Sequence, residues 1–243
     1  MAVIAVYSLK GGVGKTTLSV NLAWCAANIS SRRTLLWDLD PQAASTWLMG
    51  GDTSARDQAQ AIFTKDVEAE RLIRPTAFDR IDLIGADTSL RSLDRVFHEL
   101  DKKKRLAKLV AALDKAYDRL ILDCPPGLTE TSEQVMRAAD LIVVPVIPSP
   151  LSTRAFEEVV AHLDAKRGKV PLLPVHAMVD RRRKLHAETL AAQPDWPVIP
   201  MASLVEGMAA RRAPVGSFAP RSTAAKAFGE LWRAIEKRLS KAK

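Results

Sequence analysis

Cysteine is nearly missing from this 243-residue chain: Cys25 and Cys124 are the only two, and neither belongs to a C-x-x-C pair. Two isolated thiols are expected to be reduced and packed, which sets aside a disulfide framework. An iron–sulfur centre needs dedicated cysteine ligands and is set aside with it. Long apolar runs are also missing, and none approaches the roughly 20 residues that span a bilayer. The N-terminus goes straight into a strand without a leader-like segment, so a cytoplasmic location is expected. Internal repeats and low-complexity stretches are lacking too. Acidic residues are in deficit: 36 Lys and Arg face 28 Asp and Glu, a net charge of +8. That balance favours an anionic partner, either nucleic acid or a charged membrane surface. What remains is a globular composition, 47% hydrophobic and 26% charged, in a chain long enough for a sizeable core.

Against this background one stretch stands out, Lys10-Gly11-Gly12-Val13-Gly14-Lys15-Thr16-Thr17. It follows the apolar run Ala2 to Tyr7 and opens a segment with apolar residues at helical spacing: Leu18, Leu22, Cys25 and Ile29. Strand, glycine turn and helix N-terminus in that order make a phosphate cradle, because the backbone N–H groups converge on an anion at the positive end of the helix dipole. Lys15 is then expected on the β- and γ-phosphates, and Thr16 on Mg²⁺. The usual G-x-x-x-x-G-K-[ST] pattern would start at residue 9, where this chain has Leu9. A second lysine, Lys10, stands beside the double glycine instead.

The next apolar strand, Arg33 to Trp37, ends in Asp38-Leu39-Asp40-Pro41-Gln42, and a later one, Arg119 to Asp123, ends in Cys124-Pro125-Pro126-Gly127. Acids at the carboxyl end of a strand beside a phosphate loop lie where open α/β sheets bind ligands. Asp123 has the Walker B form and is expected to hold Mg²⁺ through water. Further strands are expected at 81–86, at 141–146, at 170–179 with irregular pairing near Pro171 and Pro174, and at an edge over 197–200. Helices are expected between them, including a short one over 55–63, one started by Ser152, and the last two over 203–212 and 221–239. Strands alternating with helices predict one doubly wound α/β domain over residues 1–243, its mostly parallel sheet covered by helices on both faces.

Together, Lys10 to Thr17, Asp38 to Gln42 and Asp123 to Gly127 resemble the deviant Walker A P-loop ATPases of the ParA/MinD family. The resemblance implies a slow, partner-stimulated ATP hydrolase that uses ATP and Mg²⁺. It implies that Gly11 to Thr17 bind ATP, that Asp40 polarises the attacking water, and that Asp38 supports the metal region beside Thr16 and Asp123. It also implies an ATP-dependent homodimer in which Lys10 reaches the partner's phosphates, and a ParB-like or other adaptor that links the engine to a cargo. Relatives often place an asparagine after the later strand, whereas this chain reads His176-Ala177-Met178-Val179-Asp180. No residue is therefore assigned to the base.

Two surfaces compete for the ATP state. Arg181, Arg182, Arg183, Lys184, Arg211, Arg212 and Arg221 lie in the C-terminal third, where ParA-like relatives bind non-specific DNA, which would place the protein on the nucleoid. No helix-turn-helix precedes the phosphate loop, so operator-specific repression is not expected. The alternative is a MinD-like membrane helix, with Phe228, Leu231, Trp232, Ile235 and Leu239 on one face and basic residues, Lys226 to Lys243, around it. A terminal helix packed on the sheet has the same pattern. The run Asp101 to Arg105 reads as a solvated turn, with DNA or membrane contact as its alternative. A metabolic ATPase on the same fold is a third possibility.

Overall fold

The computed structural model describes residues 1–52, 59–64, 67–100, 104–165 and 170–241. Three earlier expectations therefore lie outside the described residues: the start of a helix at Ala55, most of the basic run from Asp101, and the terminal Lys243.

Eight strands make one sheet. They are β1 (Ala2–Val6), β2 (Thr34–Asp38), β3 (Ile73–Pro75), β4 (Ile81–Ile84), β5 (Arg119–Asp123), β6 (Leu141–Val146), β7 (Leu172–Val179) and β8 (Val198–Pro200). Their spatial order is β3-β4-β2-β5-β1-β6-β7-β8, and every neighbouring pair is parallel except β3 with β4. The connecting helices are α1 (Lys15–Ile29), α2 (Ala44–Leu48), α3 (Ala61–Thr64), α4 (Leu93–Leu100), α5 (Arg105–Ala112), α6 (Glu130–Ala138) and α7 (Pro150–Ala165). They continue with α8 (Lys184–Ala192), α9 (Ser203–Arg211), α10 (Val215–Phe218) and α11 (Thr223–Lys241).

Alternation along the central strands feeds two cores, since successive side chains leave a strand on opposite faces. Val3 and Ala5 of β1, Leu35 and Trp37 of β2, and Leu120 and Leu122 of β5 pack toward α4 to α7. Ile4, Val6, Leu36 and Ile121 pack toward α1 and α11. This is the doubly wound arrangement expected.

Local expectations differ in four places. Helix α1 does not bury one stripe. Pressed between the sheet and α11, it buries Val20, Ala23, Ala26 and Ala27 as well as Leu18, Leu22 and Cys25, while Ile29 is exposed. Strand β3 was not foreseen, being three residues long, ending in proline and lying at the antiparallel edge. Helix α7 starts at Pro150, with Ser149 O accepting from the Ser152 and Thr153 N–H groups, so Ser152 lies inside the first turn. The irregularity of β7 falls between His176 and Val179, against β8, with Met178 at φ 54°, while the proline-containing side pairs in register with β6. Of the two readings of α11, the helix packed on the sheet is the one observed: Phe228, Leu231, Trp232 and Ile235 are each at most 1% exposed, and the Trp232 indole donates to Ser30 Oγ at 2.8 Å.

Candidate active site

Strands β2, β5 and β1 lie side by side at the centre of the sheet, and each delivers one of the three motifs to the same edge. In the register of β5, Asp123 pairs with Val6 on one side and Asp38 on the other. The loop after β1 therefore opens beside a pair of aspartates on neighbouring strands. Parallel register partners project to the same face of a sheet, so both carboxyls approach α1 from below.

The loop's shape follows from its glycines. Gly12 has φ 70° and Gly14, which caps α1, has φ 91°. An L side chain would strain both positions, although nothing crowds a Cβ at Gly12. Lys15 begins α1, is 7% exposed, and donates from Nζ to Lys10 O at 3.1 Å, closing the loop on itself. Burial lowers its pKa, while Asp123 and Asp40 act to hold the charge. Val13 is buried, Thr16 and Thr17 are half-buried, and Gly11 and Gly12 are exposed at the rim. Lys10 is half-buried, with its N–H on Ser8 Oγ at 3.3 Å. The loop borders a cavity of about 420 Å³ that Gly12, Lys15, Thr16, Asp40, Gln42 and Pro126 help to line.

The two aspartates, each 1% exposed, are bonded differently. Asp38 has donors on both oxygens. Oδ1 accepts from the Asp40 N–H at 3.1 Å, and Oδ2 from the Thr46 N–H at 2.9 Å and the Thr46 hydroxyl at 2.6 Å. Asp123 Oδ1 accepts from the Ser19 hydroxyl at 3.0 Å, whereas its buried Oδ2 has no partner. The Ser45 hydroxyl, also buried and unpartnered, lies near enough to both carboxyls to help hold them ionised. Burial raises the pKa of Asp38 against those donors. Burial and the charge of Asp38 push Asp123 up to about 7. An orphaned carboxylate oxygen and an orphaned hydroxyl facing a phosphate-type loop have the chemistry of a hard-cation site, so the residues present fit Mg²⁺.

Asp40 is half-buried and turns its Oδ1 to the Gln42 N–H at 2.9 Å. Cys124 is buried, its thiol pushed well above its ordinary pKa first by burial and then by Asp123. That is a packed thiol, as its isolation in the sequence implied. Residues that sequence reasoning passed over are Thr46, Ser45 and Met178. The first two carry a legible signal, a Ser-Thr pair at a helix start shortly after the acidic turn. Met178 borders a second, mostly apolar cavity of about 100 Å³ with Gly14, Ala177, Ile199, Pro200 and Val205.

The seven basic residues are all exposed. Arg182 is held by Asp180 through two bonds of 2.9 Å, and Lys184 lies 3.7 Å from Glu188. Arg211 lies over the Phe218 ring at 4.8 Å. Arg212 lies over the Trp47 ring at 5.0 Å and donates to Trp47 O at 2.8 Å. Among the described residues, Arg181, Arg183, Arg211, Arg212 and Arg221 have no acidic partner, and of these Arg181, Arg183 and Arg221 are not held by a ring either. No helix of the described residues is long and apolar enough to cross a membrane.

Comparison with known proteins agrees with this geometry. A family profile described as an AAA domain matches residues 1–169. The sporulation initiation inhibitor protein Soj of Bacillus subtilis (strain 168) is 35% identical over 146 residues, 59% of this chain and 57% of Soj. A ParA family protein of Chlamydia pneumoniae is 31% identical over 180 residues, 71% of this chain and 69% of that protein. Thus the chain spans little over half the length of Soj and about two thirds of the chlamydial relative. In three dimensions, the ATP complex of an McdA variant from Cyanothece superposes with a TM-score of 0.83 at 20% identity, over 97% of this chain and 96% of that one.

Proposed function

This chain belongs to the ParA family, and from that premise we propose that it is an ATP hydrolase whose nucleotide state controls a dimer and its grip on DNA. The single observation that carries the reading is the buried pair of Asp38 and Asp123, with Asp123 Oδ2 orphaned, beneath a loop that buries Lys15. A packed core has no use for such a pair, since unpaired buried carboxylates are costly. A site that receives a polyphosphate and its cation has that use.

In this reading the N–H groups of Gly11 to Thr17 and the ammonium of Lys15 bind the phosphates. Thr16 and Asp123 would hold Mg²⁺, with Asp38 supporting the metal region beside them, and the ion when bound would neutralise phosphate charge. The apolar cavity at Met178 and Ile199 takes the base, a role the sequence left unassigned. Asp40, at the cavity wall, orients the attacking water and accepts its proton. Lys10 of a second copy adds a cation where charge develops in phosphoryl transfer, as an arginine finger does. Hydrolysis is slow until a ParB-like or other adaptor stimulates it, and residues 1–243 act as one unit.

The surface gripped is non-specific DNA, which makes the protein nucleoid-associated and cytoplasmic and suits it to partition or position a cargo. Arg181, Arg183 and Arg221 are the cations best placed for phosphates, because among the described residues none is held by an acid or a ring. The membrane alternative loses support, since the α11 stripe it relied on lies in the core. The experiment is phosphate release by the purified chain with ATP, Mg²⁺ and no small-molecule co-substrate, with and without DNA. Slow release lost in Asp123→Asn supports the reading; release only with a second small-molecule substrate favours the metabolic one.

A further inference from the structure

Thr46 ties three separate segments of the chain to one point. Its main-chain N–H and its hydroxyl both donate to Asp38 Oδ2, at 2.9 and 2.6 Å. The same hydroxyl accepts from the Ala86 N–H at 2.8 Å, just beyond the end of β4. The Ala86 N–H can only donate and an ionised carboxylate can only accept, so the one hydroxyl proton goes to Asp38 Oδ2. The polarity is therefore fixed: β4 to Thr46 to Asp38. From Asp38 the line continues, since Oδ1 accepts the Asp40 N–H at 3.1 Å. The Asp40 carboxyl is then folded back onto the Gln42 N–H.

The seat of Thr46 is shaped for it. A Cβ on Gly51 would stand 2.8 Å from Thr46 Cγ2 and 3.0 Å from Thr46 O, and a Cβ on Gly85 would stand 3.0 Å from the same methyl. Two glycines thus close around the methyl group, and the 1% exposure of Thr46 keeps water from competing for Asp38. A carboxylate that only needed burial would be satisfied by α2 main-chain donors. Here its orientation is set by a side chain that is itself oriented by a neighbouring strand.

We propose that Thr46 is a positioning residue for ATP hydrolysis: it locks the rotation of the Asp38 carboxylate, and Asp38 thereby fixes the main chain that presents Asp40 to the phosphate cavity. The proposal rests on the hydrolytic reading above and assigns Asp38 a role in aiming Asp40 that the family resemblance did not imply. Thr46 touches neither nucleotide nor water in this account. It acts on the turnover rate, with ATP affinity left nearly unchanged.

The test is a split of kcat from KM in the full chain, with fluorescent-nucleotide binding measured alongside. Thr46→Val keeps the shape and removes the hydroxyl; turnover should fall by about tenfold or more, as for a lost bond to a charged group. Affinity for ATP should stay within about twofold, the expectation if binding rests on the loop. Thr46→Ser restores the hydroxyl and should bring turnover back near wild type. Should the valine protein not fold, Thr46→Ala carries the same expectation. Normal turnover in the valine variant overturns the proposal, as does equal loss in the serine and valine variants. A fall in affinity that matches the fall in rate also overturns it. A wild-type chain without ATP turnover overturns the functional reading, and this inference with it.

Discussion

The nucleotide edge and the basic surface hold charge in opposite ways. At the ends of β2 and β5, Asp38 and Asp123 are buried and, apart from Asp123 Oδ2, held by named donors. On the turn after β7, at the end of α9 and just before α11, seven cations stand in solvent, tied at most to an acid, a ring or a main-chain oxygen. Charges out of water act strongly and one by one, so each deletion at the edge should be decisive. Exposed cations are screened and interchangeable, so their deletions should be graded and dependent on salt.

Substitutions can break or sharpen that contrast. The largest effect is expected for Lys10→Ala, which should bind nucleotide through Lys15 yet lose roughly 1,000-fold in stimulated turnover, the scale of a missing arginine finger. It should also fail to dimerise with ATP by light scattering. Normal turnover would remove Lys10 from the mechanism. Next is Lys15→Ala, where nucleotide affinity should drop by about 100-fold in a fluorescence titration, since a buried partner to the phosphates is lost. A change of only a fewfold would place Lys15 with the surface cations.

These two lysines also mark how far the sequence could be read. The loop, Asp38, Asp40 and Asp123 were all legible, because each is a short motif at a strand end and the strands are apolar on both faces. Their meeting was legible from the alternation of strands and helices. The bonding of Asp38 was not, because Thr46 reaches it through folding of the β2–α2 turn, and Ala86 comes from a strand forty residues on. Strand β3 escaped because three residues ending in proline have no period. The burial of Val20, Ala23 and Ala26 escaped because α11, 200 residues away, covers α1. The basic residues were legible as charges, but the capture of Arg212 by Trp47 depends on tertiary position, whereas that of Arg182 by Asp180 is a contact within one turn.

A smaller effect tests the electrostatics of the edge directly. With its carboxyl lifted to about 7, Asp123 in the nucleotide-free fold keeps a proton that the unfolded chain releases near pH 4. Its contribution to stability is therefore full below about pH 4 and is lost as the pH rises through 7. Asp123→Asn should flatten the Tm curve between about pH 4 and 7 and raise Tm by several degrees at the upper end and above it. An unchanged slope would show that the pair is not strained.

The smallest single effects belong to the surface. Arg183→Ala should weaken DNA binding by a fewfold and reduce the log–log salt slope by about 0.9, the contribution of one phosphate contact. Arg182→Ala should do less, since Asp180 already neutralises that guanidinium. Loss of all binding from one of these changes would mean a specific pocket in place of a diffuse surface.

The central claim is that the buried edge switches the exposed surface. Retention on DNA measured with ATP, with ADP, and with ATP in the Asp40→Ala variant tests it most directly. The account predicts retention with ATP, its persistence in the variant that cannot hydrolyse, and its loss with ADP. Equal binding in all three states would contradict it.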